Sequence, residues 1–159
     1  MLKKPVWSKS AAVAALLLAA NVLQAHAGAA VYPSVKQAAA DIQAAVTQAQ
    51  KEHKRVLVDF GANWCTDCRV RDSNFHKPEN ADLLSANFVV VHVNVGEDGI
   101  TDNFSVAEQY DIPLKKGIQA MAVLDSSGKA IFSQRNGEFE AMRSMDPASV
   151  HEFLEHWKQ

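Results

Sequence analysis

Val58-Asp59-Phe60-Gly61-Ala62-Asn63-Trp64-Cys65-Thr66-Asp67-Cys68 is the stretch from which the fold can be read. It runs from an apolar segment broken by one acid, Asp59, through Gly61 and into two cysteines three residues apart, the only cysteines in the 159-residue chain. Val56 to Phe60 is almost unbroken β-branched and aromatic sequence, which predicts a buried strand. Cys65 opens a predicted helix that runs to about Phe75, where Pro78 must end or re-aim it. The cysteines therefore fall at the carboxyl end of a buried strand, on entry to a helix. In open α/β sheets this is the edge where chemistry is placed.

A C-x-x-C at a helix start has a physical logic. The first sulfur meets unpaired backbone N–H groups and the positive end of the helix dipole, both of which favour thiolate over thiol. Cys65 is thus the candidate nucleophile. Cys68, one turn further in, is close enough to form a Cys65–Cys68 disulfide and better shielded from water, as suits a resolving thiol. The same spacing also fits an inert staple or half of a zinc site. Zinc needs two further ligands, and the one other pair with suitable spacing, His151 and His156, falls on roughly opposite sides of the apolar face of the last predicted helix. A redox-active pair without a metal is the expectation.

Outward from this centre, apolar residues at Val35, Ala38, Ala39, Ile42, Ala45, Val46 and Ala49 follow helical spacing and predict a helix over 35–53 with Ser34 as N-cap. After the cysteine helix, Pro78 to Ala86 reads as a further helical turn or two. Phe88 to Val95 is a second valine-rich strand with His92 inside it. Asp102 to Tyr110 is a short helix. Ala120 to Asp125 and Ala130 to Gln134 form a hairpin around Gly128. The last helix has Asp146 as N-cap and Pro147 at its first position, and buries Val150, Phe153, Leu154 and Trp157. The order is α/β, a parallel β-α-β unit followed by an antiparallel pair.

The segment from Val58 to Cys68 resembles the active-site segment of the thioredoxin superfamily, and the element order extends the resemblance over about residues 35–158. The Gly-Ala-Asn-Trp-Cys-x-x-Cys-Arg form is similar to exported thioredoxin-like proteins and to the thioredoxin-like domain of bacterial transmembrane thiol-disulfide interchange proteins. The resemblance implies a central mixed sheet flanked by helices, a C-terminal β-hairpin, and thiol-disulfide exchange with no cofactor. Asp59 occupies the family's buried-acid position. Desolvation is expected to raise its pKa, so that it exchanges a proton with Cys68. Trp64 stands where a tryptophan shields the cysteines.

The chain departs from the family's pattern at several positions. His92 replaces a lysine near the buried acid, and either pairs with Asp59, making activity pH-dependent, or faces away and bonds to backbone. Gln119, in Gly117-Ile118-Gln119-Ala120, stands at the cis-proline position; a non-proline cis bond costs about 2.5–4 kcal/mol, so a trans or strained loop is expected. Thr66 and Asp67 replace a common Gly-Pro pair. Asp67 opposes a thiolate on Cys65, with Arg69 and Arg71 partly offsetting it. This favours a reductant or isomerase over a strong oxidant.

Residues 1–27 read as a signal peptide: Lys3, Lys4 and Lys9 precede an apolar run from Ala11 to Leu23, and Ala25-His26-Ala27 predicts cleavage before Gly28. The apolar run is shorter than the roughly 20 residues needed to span a bilayer. The remaining 28–159 is one domain, and cleavage moves the net charge from −2 to −5, because the leader holds three lysines and no acid. Basic residues are scattered, which argues against nucleic acid. The expected setting is the bacterial periplasm, the expected partners are disulfide-containing exported proteins and a membrane thiol relay as electron donor, and the expected state is monomeric. The alternative is a thioredoxin-fold binding module whose cysteines hold copper or another soft metal, or a non-catalytic interaction module in which they merely staple the helix.

Overall fold

The computed structural model describes residues 30–136, 146 and 148–159. The predicted leader and Pro147 lie outside the described residues. After a 3-10 turn over Val35–Gln37, the elements are α1 (Ala38–Glu52), β1 (Arg55–Gly61), α2 (Thr66–Phe75), α3 (Pro78–Asn87), β2 (Phe88–Asn94), α4 (Phe104–Gln109), β3 (Ala120–Leu124), β4 (Ala130–Ser133) and α5 (Ala148–Trp157). The strands form one sheet in the order β2-β1-β3-β4, with β1 parallel to β2 and antiparallel to β3, and β4 antiparallel to β3. This is the mixed sheet with a terminal hairpin expected from the element order.

β1 is the central strand, and its period-2 alternation sorts the core onto two faces. Val56, Val58 and Phe60 join Ile42, Ala45 and Ala49 of α1 on one side. Leu57 joins Phe75, Leu84, Val150 and Leu154 of α2, α3 and α5 on the other. Each large apolar side chain buried this way contributes about 1.5–3 kcal/mol. Asp59 lies two residues from Leu57 and so shares the face covered by α2. That alternation puts a carboxyl in the interior beneath the cysteine helix.

Local differences from the expected elements have local causes. Ser34 makes no side-chain cap; it precedes the 3-10 turn, and α1 starts only at Ala38. α1 ends where His53 adopts a left-handed conformation (φ 54°) and its N–H bonds Ala49 O, a common way to close a helix. α3 is a full 10-residue helix with Pro78 in its first turn, where a missing N–H costs nothing. Asp146 Oδ1 accepts from Ala148 N at 2.9 Å at the start of α5. Phe153 and Trp157 are half-buried and pack on Phe132, each with ring centroids 5.3 Å from it. Among the described residues no helix is long and apolar enough to cross a membrane.

Candidate active site

The sheet edge at the end of β1 carries the two sulfurs. Cys65 is the N-cap of α2 with an extended backbone, and its Sγ accepts from Cys68 N at 3.2 Å. It is disulfide-bonded to Cys68 across a Cα–Cα distance of 5.3 Å. Cys65 is 5% exposed and Cys68 fully buried, an asymmetry that makes Cys65 the sulfur a substrate can reach. Trp64 is among the few large apolar side chains left exposed, tethered by its Nε1 to Gly96 O at 2.9 Å in the loop after β2. Thr66 is exposed and Asp67 half-buried in the first turn of α2.

One turn of α2 beyond Cys68, Arg71 belongs to a buried charge cluster. Asp59 Oδ1 is ion-paired with Arg71 Nη2, and both side chains are fully buried. Asp59 Oδ2 accepts from Tyr32 Oη at 2.8 Å and from His92 Nδ1 at 2.9 Å. Arg71 Nη2 also donates to Phe60 O at 2.9 Å. His92 lies directly across from Asp59 in the β1–β2 register, which is why its ring reaches the carboxylate; of the two alternatives left open for it, the structure has the pairing. Tyr32 is held over the strand by Asn63, whose side chain bonds the Tyr32 backbone N–H at 3.0 Å and carbonyl at 2.8 Å.

These partners reverse the expected ionisation of the buried acid. Burial pushes the Asp59 carboxyl up, but the Arg71 charge, the His92 bond and charge, and the Tyr32 hydroxyl together hold it below the ordinary aspartate value. Asp59 is therefore a stabilised anion, and the expectation of a raised pKa is corrected. Burial lowers Arg71, and Asp59 more than restores it. Burial, then the Asp59 charge, pushes the Tyr32 hydroxyl well up, so it stays a donor. Burial lowers His92, yet its bond to Asp59 and the charges of Asp59 and Asp72 leave it above the usual histidine value.

The cluster also corrects the place of Arg71. It does not offset Asp67 at the surface but turns inward to Asp59, while Arg69 is exposed. Helical spacing carried the signal: Cys68, Arg71 and Phe75 recur at i, i+3 and i+7 and all are buried. Tyr32 left no local signal, being a single aromatic ahead of the first helix. It does explain Gly61. A β-carbon there would overlap Tyr32 Oη and Cζ, so Gly61→Ala is expected to lose about 1–3 kcal/mol through overpacking. A thermal melt lowered by less than 1 °C would contradict the contact.

Gln119 lies at the same sheet edge, since Ala120 is across from Phe60 in the β1–β3 pair. No cis peptide bond occurs among the described residues. Gln119 is buried, and its backbone carbonyl accepts from Gln134 Nε2 at 2.8 Å. Gln134 Oε1 in turn accepts from Met121 N at 3.2 Å. Gln134, the last residue of the predicted strand and just past the end of β4, thus clamps the backbone on either side of Ala120.

Comparison with known proteins agrees with this arrangement. The thioredoxin-like family matches residues 37–114. The solved structure of a disulphide isomerase from Xylella fastidiosa Temecula1 is 31% identical, superposes with a TM-score of 0.73, and covers 79% of this chain and 95% of its own. Among curated proteins no match was found.

Proposed function

Because the chain belongs to the thioredoxin superfamily and is a thiol-disulfide oxidoreductase, we propose that it is exported and works on disulfides of other exported proteins, as reductant or isomerase. The observation that carries the reading is Cys65 at the N-cap of α2, joined to a fully buried Cys68. In the reduced protein the Cys65 thiolate attacks a substrate disulfide, whose second sulfur leaves and takes a proton. Cys68 gives up its proton and attacks Cys65 Sγ, closing the Cys65–Cys68 disulfide and releasing the first substrate sulfur, which takes up a proton as it leaves. Two electrons pass from the dithiol to the substrate. In an isomerisation a second substrate thiol, instead of Cys68, resolves the mixed disulfide.

Charge near Cys65 supports the reductive direction. Asp67 in the first turn of α2 puts a negative charge near Cys65, which disfavours the thiolate. A less stable thiolate means a less stable reduced form and a lower potential. Export rests on the basic, apolar and small-x-small leader. In an oxidising compartment the dithiol must be regenerated by a thiol donor, for which a membrane thiol relay serves. Equilibration with glutathione should give a potential between about −180 and −270 mV; a value near −120 mV would identify an oxidant instead.

A further inference from the structure

The buried acid of this chain is locked by Arg71, yet its network still reaches solvent at one point. Asp59 is an acceptor-only anion, so His92 Nδ1 must be the donor in the 2.9 Å bond between them. That fixes the tautomer and leaves Nε2 as the nitrogen that gains or loses a proton. Nε2 lies 3.9 Å from Asp72 Oδ1, and the imidazole is 23% exposed. Both side chains line a solvent-open cleft of about 300 Å³ with Phe75, Leu84 and Phe88. On the inner side, Arg71 is one helical turn from Cys68, and both are fully buried. A line of contacts thus runs from the cleft through His92 and Asp59 to Arg71, on the helix that carries the resolving sulfur.

We propose that His92 is a positioning residue for the thiol chemistry: it adds or removes a positive charge on the Asp59–Arg71 pair, and so sets how readily the thiols at the start of Arg71's helix ionise. With His92 protonated, two cations surround one buried carboxylate and the surplus positive charge favours thiolate. With His92 neutral the pair cancels and that support is lost. Among the described residues, the other charged and titratable groups around the ring are these. Tyr32 stacks edge-on at 5.3 Å and stays neutral. His76 Nδ1 lies 3.7 Å from the same Asp72 oxygen, and Asp41 of α1 lines a second cleft, which His92 also borders. Asp72 favours the protonated ring, and Arg71 opposes it.

The inference rests on the thiol-disulfide reading but can fail separately from it. Coupling is reciprocal, so ionising a thiol must raise the proton affinity of His92, by about fivefold or more. In a titration followed by NMR, the His92 imidazole should give a higher midpoint in the reduced than in the oxidised protein, with His92→Asn assigning its signal. The pH profile of Cys65 alkylation should carry an inflection from His92 besides that of the thiol. His92→Asn, which keeps a donor for Asp59 but cannot ionise, should erase it, and Asp72→Asn should move it to lower pH. Equal His92 midpoints in the two redox states, or an inflection that survives in His92→Asn, would overturn the proposal even if disulfide reductase activity is intact.

Discussion

Arg71→Met is expected to cost about 3–5 kcal/mol of folding stability, because it leaves the fully buried Asp59 carboxylate without its cation. Methionine fills much of the same volume, so the loss reports charge more than packing. Asp59→Leu combined with Arg71→Met should recover much of it, since a buried pair replaced by apolar groups is often close to neutral. The pH dependence has a definite sign. Asp59 is depressed in the native state, so its contribution is present above the unfolded value of about 3.9 and is lost as pH falls through the lower native value. His92 is raised, so its contribution is complete below about 6.5 and is lost as pH rises through the higher native value. Urea unfolding of the parent and both variants across pH measures all of this. An Arg71→Met protein within 1 kcal/mol of the parent would contradict the buried pair.

Cys65→Ser is expected to lower disulfide reduction on the order of 10³-fold or more, as removal of a nucleophile does. Stability should fall far less, by roughly 2 kcal/mol, since the lost disulfide closes only a four-residue loop. The two readouts separate chemistry from folding. If Cys65 were part of an inert staple, the variant would change stability and leave no activity to lose.

Much of this could be read from residue order, and the rest could not for physical reasons. The strand at Val56–Phe60, the cysteine at a helix start and the acid six residues before it are local patterns, and the folded chain keeps all of them. Whether His92 reached Asp59 depended on strand register, which only the β1–β2 pairing fixed. Burial alone raises a carboxyl, so the sequence around Asp59 points to the wrong ionisation. Its partners come from 27 residues before it in Tyr32 and from the next helix in Arg71. Gln119 could be identified as a departure from the proline pattern, but its Gln134 clamp crosses from the neighbouring strand.

In the proposed exchange, a substrate disulfide bonds to Cys65 and Cys68 resolves that bond. The most direct test is to incubate reduced Cys68→Ser protein with a disulfide-containing protein and map any covalent product by mass spectrometry. The account predicts a mixed disulfide at Cys65 that thiol reductant releases and that Cys65→Ser does not form. A parent protein that reduces disulfides while Cys68→Ser traps none would contradict it.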